Sequence, residues 1–513
     1  MRRPGRPTTS WGDWCSATWC PRSTGSERPP GAPDGPATRR RAPANSAVPL
    51  FVAPEPWDSA PVSDVVHRTP TSQPLTWSNW ARTATCSPAG RAQPRSEAEL
   101  AEVVARAAAD GRSVRAVGGG HSFTPAATTS GVLLNLDHVS VLERVEPVPE
   151  TGSTLVTVGA GVRLHRLNRM LAEHGLAMRN LGDIDRQSIA GAISTGTHGT
   201  GATFGGLATQ VRGLRVIGVD GTVHDVGPGD PLFEASRLGL GTTGVLSAVT
   251  LEVVPAYDLR AEERPVPLAE ALESLDGPDG VVATSDHFEL YFFPVTGRAL
   301  TLRNTRVEPA TIGRVARAGR AARSFLDEEL LSNGAFEMVN RVATAFGGLT
   351  PRLNAVSARA LSARTYQAPS YQVFCTRRRV RFREMEYAIP RESVRDVITE
   401  VDDWLRTSGE NVPFPIEVRF AAPDDVWLST AHGRETAYVA VHQYWRLPYS
   451  RYFEAAERIF VTAGGRPHWG KMHSRDSDDL APLYPRFDDA ARVRLEHDPE
   501  GVFHNRYTRK VLG

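Results

Sequence analysis

Apolar positions along the chain recur with two periods, and the predicted element changes where the period does. Leu100, Val103, Val104 and Ala107 fall three and four apart, a stripe that predicts a helix. Ser96 and Glu99 form a capping box at its start, and Gly111 ends it. Val114, Ala116 and Val117 then predict a strand that runs into Gly118-Gly119-Gly120. Val132–Leu136 and Thr154–Val158 predict further strands, the second ending in Gly159-Ala160-Gly161. Leu164, Leu167, Leu171 and Ala172 predict another amphipathic helix, stopped at Gly175. Leu214–Val219 reads as a strand that turns back at Asp220-Gly221 into Val223, and Gly239–Val245 leads into a strand over Leu246–Val254. Beyond about residue 255 the strands lengthen. His287–Phe293, Phe414–Phe420 and Ala437–Tyr444 are predicted strands, and Ser393–Arg406 is a predicted helix.

This order predicts an α+β chain in two parts: a first domain over 76–254, and a second over 255–465 built on a helix-covered sheet. Residues 466–513 form a C-terminal segment that ends in turn chemistry at Asp498-Pro499-Glu500-Gly501. Residues 1–75 carry Pro, Gly, Arg and Ser without a lasting period, and are expected to be a disordered extension outside the fold.

Composition narrows the picture modestly. A chain of 513 residues exceeds one core, and 41% apolar with 23% charged residues is ordinary for a soluble globular protein. A net charge of +1 gives no reason to expect nucleic acid or an anionic membrane as partner. Four cysteines (Cys15, Cys20, Cys86, Cys375) make no disulfide framework at this length and read as free thiols. No apolar run reaches the ~18 residues that span a membrane, and no apolar segment follows Met1-Arg2-Arg3 as in a signal peptide. A cytoplasmic location is the expectation, with peripheral membrane association left open. Only Lys471 and Lys510 among 59 basic residues are lysines, which singles out Lys471.

The candidate chemistry begins at Val117-Gly118-Gly119-Gly120-His121-Ser122-Phe123. Consecutive glycines turn tightly and expose N–H groups to phosphate oxygens, and His121 stands at the lip of the loop. A dinucleotide fingerprint needs a helix directly after the glycines; Thr124-Pro125 follows instead, so a loop alone is expected to hold the phosphates. A second tract, Asn180 to Gly201, combines close-packing glycines with hydroxyls that can donate to phosphate or ring atoms. Glu417 and Arg419 leave the same face of a predicted strand. On a solvated face they would be a weak surface ion pair. His468-Trp469-Gly470-Lys471 groups an imidazole, an indole and the rare lysine, and reads equally as a polar surface loop. His442, alternating with Tyr444 on another predicted strand, reads first, taken alone, as a structural histidine. His442, His468 and His473 lack recognised zinc spacing, so no metal is expected, and no G-x-S-x-G hydrolase signature is present.

Together these motifs, with Gly241–Leu251 and Asp498-Pro499, resemble the aldonolactone oxidase family, in order from about residue 76 to 513. That family, which includes L-gulono-1,4-lactone and D-arabinono-1,4-lactone oxidases, belongs to the vanillyl-alcohol oxidase and p-cresol methylhydroxylase type of flavoproteins. The resemblance implies a two-domain α+β flavoprotein in which 76–254 binds FAD, 255–465 caps the substrate and 466–513 returns to the flavin site. It implies FAD covalently attached at His121. The other implied cofactor contacts are Val117, Gly118, Gly119, Gly120, Ser122, Phe123, Gly182, Asp183, Gln187, Ser188, Gly191, Ser194, Thr195, Gly196, Thr197, His198, Gly199, Val245 and His468. The implied reaction is hydride transfer from a sugar-lactone hydroxyl carbon to flavin N5, with O2 reoxidation to H2O2. Glu417 and Arg419 would bind and polarise the substrate hydroxyls, Lys471 would stabilise charge, and His442 completes the expected catalytic set. Gly182 matches the position where oxygen-reactive members leave room for O2. The alternatives are an alditol oxidase acting on xylitol or sorbitol, a lactone dehydrogenase using another acceptor, and a non-catalytic flavin-binding module. Asp183 and His442 depart from the serine and threonine of the alditol enzymes and favour the lactone.

Overall fold

The computed structural model describes residues 76–309, 333–376 and 380–513. The expectation for residues 1–75 lies outside them, as do Cys15 and Cys20; Cys86 and Cys375 are free.

The helix Glu97–Ala109 forms on its apolar stripe, burying Leu100, Val104 and Ala107. Its start differs in detail from a capping box. Ser96 Oγ accepts from the Glu99 N–H at 3.2 Å, but the Glu99 carboxylate accepts from Arg95 N, one residue before the cap. Ahead of this helix β1 (Trp77–Ser78) and β2 (Thr85–Cys86) pair antiparallel; after it the chain enters β4 (Val114–Val117), an edge of a three-stranded parallel sheet with β3 (Gly90–Ala92) and, between them, β5 (Val132–Asn135). No helix follows β4; the glycine loop does, as its Thr124-Pro125 predicts.

A six-stranded antiparallel sheet packs into the same core. Its order is β10 (Val223–Val226), β9 (Val211–Ile217), β11 (Val245–Pro255), β7 (Ser153–Gly159) and β6 (Leu142–Val148), with β8 (Leu176–Ala177) paired to β11. The core also takes Val493, Phe503, Val511 and Leu512, so the C-terminal segment packs beside the first 180 residues of the described chain.

The third sheet is antiparallel and eight-stranded: β15 (Arg364–Pro369), β12 (Asp258–Pro267), β14 (Arg298–Val307), β13 (His287–Phe293), β17 (Ile416–Ala421), β18 (Thr436–Tyr444), β16 (Phe382–Pro390) and β19 (Arg466–Pro467). Side chains alternate strictly across its centre. Phe288, Leu290 and Phe292, Ile416 and Val418, Val439 and Val441, and Met385 and Tyr387 form one apolar face. The helices Leu268–Glu273, Val394–Ser408 and Ser450–Thr462 cover that face with Leu272, Val397, Ile398, Val401, Tyr452 and Phe460. The helix Val394–Ser408 stops at Gly409, whose φ of 71° is the left-handed cap that glycine takes at least cost. The opposite parity carries the ionisable residues. No helix among the described residues is long and apolar enough to cross a membrane.

Candidate active site

The glycine loop is held from outside and left open within. Trp80 N donates to Gly120 O at 2.8 Å, Asn79 Nδ2 donates to Ser122 O at 2.8 Å, and Phe123 N donates to Gly470 O at 2.7 Å. Among the described residues, the N–H groups of Gly119, Gly120, His121 and Ser122 donate to no protein acceptor. Gly120 has φ +65°, and a Cβ on Gly118 would overlap Ser188 Oγ, so the loop lies against Ser188 closely enough to exclude any side chain. Free N–H groups in a row of glycines suit an anionic diphosphate.

The loop lines a cavity of about 1030 Å³, open mouth included. Of the expected cofactor residues, Val117, Gly118, Gly119, Gly120, His121, Ser122, Gln187, Ser188, Gly191, Ser194, Thr195 and Val245 line it. The size and this lining fit an elongated nucleotide cofactor such as FAD. Gly241 and Gly244 of the motif Gly241–Leu251 also line it, together with Arg115, Asp137, Leu240 and Phe503, which the sequence did not single out as contacts. Arg115 was legible as a lone charge inside an apolar run. Its guanidinium is buried and donates to Ala126 O at 2.6 Å, Leu240 O at 2.7 Å, Phe503 O at 2.6 Å and Gly241 O at 3.0 Å. His121 stacks on Trp80, with ring centroids 5.6 Å apart. Burial, then Arg163, Arg186 and Lys471, push its pKa down to about 4, leaving a neutral imidazole at neutral pH.

The other expected contacts lie around this cavity rather than on its wall. Phe123 packs on Phe382 of β16, with centroids 5.5 Å apart. Gly196 abuts Leu238 and Trp469, Thr197 Oγ1 accepts from Gln187 Nε2 at 3.0 Å, and Gly199 closes on the Leu181 carbonyl. The tract is then joined to β17: Gly201 N donates to Phe420 O at 2.8 Å, and Phe420 N donates to Thr200 Oγ1 at 3.2 Å. Gly182 and Asp183 thereby come to the polar face of the large sheet.

Two buried charge clusters occupy that face. In the first, Arg419 contacts the Glu417 carboxylate, donates from Nε to Glu289 Oε2 at 2.8 Å, and lies 3.3 Å from Asp183 Oδ2. Tyr291 Oη donates to Glu417 at 2.9 Å. The register places Glu289 opposite Arg419 and Tyr291 opposite Glu417. Glu417 and Arg419 are 4% and 7% exposed, which excludes the surface ion pair. Burial would lower the Arg419 pKa, but Glu417, Asp183 and Glu289 hold it well above its usual value. Glu289 is pushed up to about 6, by burial and then by Glu417 and Asp183 against the pull of Arg419. Its role was not visible in the sequence. A small cavity of about 360 Å³ opens beside Asp183, Glu289 and Arg419.

In the second cluster, Lys471 contacts Glu384, and His442 Nε2 lies 3.5 Å from the same carboxylate oxygen. His198 Nε2 lies 3.0 Å from Glu386 Oε1 and stacks on Tyr438, with centroids 3.4 Å apart. Glu384 and Glu386 also escaped the sequence reading. His468-Trp469-Gly470-Lys471 is no surface loop: Trp469 is fully buried and its indole donates to Leu428 O at 2.7 Å. His468 Nδ1 accepts from Gly470 N at 3.0 Å, and burial pushes its pKa down to about 3. His473 stands apart from His442 and His468, with Nε2 2.9 Å from Tyr507 Oη. The metal-ligand types that do converge among the described residues are His198, Glu386 and His468, with ligand atoms within 4.8 Å of one another.

Comparison with known proteins gives the same outline. Residues 249–511 match the D-arabinono-1,4-lactone oxidase family, and residues 88–227 match a family described as FAD binding domain. The chain is 43% identical over 441 residues to L-gulono-1,4-lactone dehydrogenase of Mycobacterium tuberculosis, covering 85% of this chain and 99% of that one. It is 33% identical to L-gulonolactone oxidase of Mus musculus, over 85% of this chain and 97% of that one. Among solved structures, cholesterol oxidase from B. sterolicum superposes with a TM-score of 0.70 at 18% identity, over 88% of this chain and all of the other. At that identity the likeness shows the fold alone: the α+β, two-domain architecture of this flavoprotein class.

Proposed function

The chain belongs to the D-arabinono-1,4-lactone oxidase family, and from that premise we propose that it oxidises a CH–OH group of an L-gulono- or D-arabinono-type 1,4-lactone with FAD and passes the electrons to O2. The observation that carries the reading is the buried Glu417–Arg419 pair, set on a rigid strand against Asp183 and tied to the glycine tract at Gly201–Phe420. On this reading 76–254 holds the cofactor, 255–465 faces the substrate, and 466–513 returns to the cofactor through Gly470 and Phe503.

FAD, when bound, supplies the hydride acceptor. The chain does the rest. The free N–H groups of Gly119 to Ser122 would hold the diphosphate, and His121, a neutral imidazole at the lip of the same loop, is the residue that would hold the flavin covalently. Arg419 donates to the substrate hydroxyls, while Glu417, fixed by Tyr291, accepts from them; a desolvated guanidinium and carboxylate orient a sugar far more strongly than water-exposed ones would. Lys471 places positive charge where negative charge develops. The enzyme is read as cytoplasmic on the sequence grounds given above.

The acceptor has a second reading, a dehydrogenase. A Cβ at Gly182 would stand 3.0 Å from His198 O and 3.1 Å from Thr197 Cγ2, so the surroundings of this residue are already close-packed. The test is anaerobic reduction by L-gulono-1,4-lactone, D-arabinono-1,4-lactone and xylitol, then mixing with air. Bleaching by a lactone and rapid return of yellow are expected. Bleaching by xylitol alone would make it an alditol oxidase, and flavin that stays reduced in air would make it a dehydrogenase. Acid precipitation tests the link to His121: yellow retained in the pellet supports it, yellow released to the supernatant refutes it.

A further inference from the structure

Two glutamates buried two apart on one strand need an explanation, because each ionised carboxylate costs several kcal/mol to desolvate unless it is paired. Glu384 and Glu386 are 4% and 5% exposed on β16. Their parity sets them on the polar face, while Met385 and Tyr387 between and beyond them enter the core. Glu386 is paired with His198. Glu384 has Lys471, and the same carboxylate oxygen lies 3.5 Å from His442 Nε2, its register partner on β18.

The backbone of the same two residues fixes the turn that carries the lysine. His468 N donates to Glu386 O at 3.0 Å, and Met472 N donates to Glu384 O at 2.9 Å. That turn in turn accepts Phe123 N at Gly470 O, and Lys471 Nζ sits 5.3 Å from the Phe123 ring centroid, two residues from His121. A lysine is a point charge on a four-carbon stem with ~2 kcal/mol of rotamer entropy, so its place in a site must be imposed by a neighbour. Burial lowers the Lys471 pKa, and Glu384 first among its neighbours outweighs that and raises it. The other groups facing the ammonium are Glu386 at 3.9 Å, Asp183, His121 and His468.

We propose that Glu384 is the positioning residue of the site: it holds the Lys471 ammonium beside the glycine loop and joins it to His442 through one shared carboxylate oxygen. The proposal rests on the reading of loop and sheet face as a flavin site.

The chain's two lysines make the test direct. FAD-loaded protein grown with ε-13C-lysine gives two Cε resonances, assigned by K510R, and the resonance of Lys471 is followed with pH in the wild type, E384Q and E384D. In E384Q, Lys471 is expected to deprotonate at a pH at least ~1 unit lower, a tenfold loss of proton affinity. With a lactone as reductant, kcat is expected to fall at least ~10-fold with KM within about threefold, and the alkaline limb of kcat to move down by the same interval. E384D, which keeps the charge but withdraws it by one methylene, should recover the titration and not the full kcat. An unchanged Lys471 titration in E384Q overturns the proposal, as does a shifted titration with unchanged kcat. Should E384Q fail to fold or to retain FAD, E384D decides: wild-type kcat in that variant overturns it. A wild type that no lactone reduces, with Lys471 still shifted by E384Q, would defeat the lactone reading and leave the positioning role standing.

Discussion

Replacing Arg115 by methionine removes the tie between three segments that wall the nucleotide cavity. The guanidinium bonds four carbonyls, from Ala126, Leu240, Gly241 and Phe503, and all but the bond to Gly241 lie at 2.7 Å or less. A charged donor lost from a buried carbonyl costs ~1–3 kcal/mol each. Against that sum stands the burial of the cation, strong enough to bring its pKa down to about 10 despite Asp498. Methionine is relieved of that burden, so the net loss should be on the order of 3 kcal/mol, the cost of several unmade bonds to buried carbonyls less the desolvation of the cation. Leu240 gives the loop a further reason to need the tie: its φ of 55° is a left-handed conformation for a residue with a side chain. The assay is denaturant unfolding of R115M and wild type without FAD, followed by FAD titration of each in an H121A background, where no covalent link can hold the cofactor. A loss of about 3 kcal/mol or more in the apoprotein, and FAD affinity weakened at least ~100-fold, are expected. R115K, with fewer donors and no planar fork, should fall between. Apoprotein within about 1 kcal/mol of wild type, with unchanged FAD affinity, would refute the reasoning.

In G118A the new Cβ would stand 3.0 Å from Ser188 Cβ and overlap its hydroxyl, so the loop must move; in an H121A background, where no covalent link can form, at least ~10-fold weaker FAD retention is expected, read from flavin absorbance after gel filtration. Glu289 carries a pH dependence of definite sign. Its pKa rises from 4.5 unfolded to about 6 folded, so its contribution to stability is full below about 4.5 and lost as pH rises through 6. E289Q should therefore gain on the wild type by on the order of 2 kcal/mol between pH 4.5 and 7 in thermal unfolding, and a gap constant with pH would exclude the shift. G182A should press on His198 and Thr197 and slow reoxidation of the reduced flavin by air, with lactone-driven reduction changed less; stopped-flow absorbance separates the two half-reactions.

The parts of this molecule that sequence predicts well are those whose cause is local. The strand His287–Phe293 has the predicted bounds because its alternation and its neighbours agree. The strand predicted from Phe414 begins instead at Ile416: Pro415 has no N–H to give the ladder, and Phe414 turns to pack with Phe382 and Phe336. The helix predicted from Ser393 starts at Val394 without a side-chain cap, since Ser393 ends a 3-10 turn. The glycine loop announces itself by composition. Glu289, Glu384 and Glu386 could not be found that way. Each is an ordinary alternating residue on its own strand, and its meaning comes from the order β13-β17-β18-β16, in which β16 joins the sheet two places from β17. Arg115 stands out in the sequence as a lone charge in an apolar run, but its partners do not, lying as far away as residue 503.

Core and site in the large sheet are two readings of one register. On β17, Ile416, Val418 and Phe420 lie in the core while Glu417 and Arg419 face Asp183; on β16, Met385 and Tyr387 alternate with Glu384 and Glu386. A slip of one residue would send every carboxylate into the helices Val394–Ser408 and Ser450–Thr462 and every core residue into the charge clusters, so the hydrophobic face fixes the placement of the charged one. This also explains why the charges can be so crowded. Arg419 meets three carboxylates, one on its own strand, one on β13 and one in the loop at Asp183, an arrangement in which every contact would be lost if the backbone relaxed by an ångström or two. The apolar packing beneath supplies that rigidity, and the strands of the sheet set the spacing of the charged groups directly.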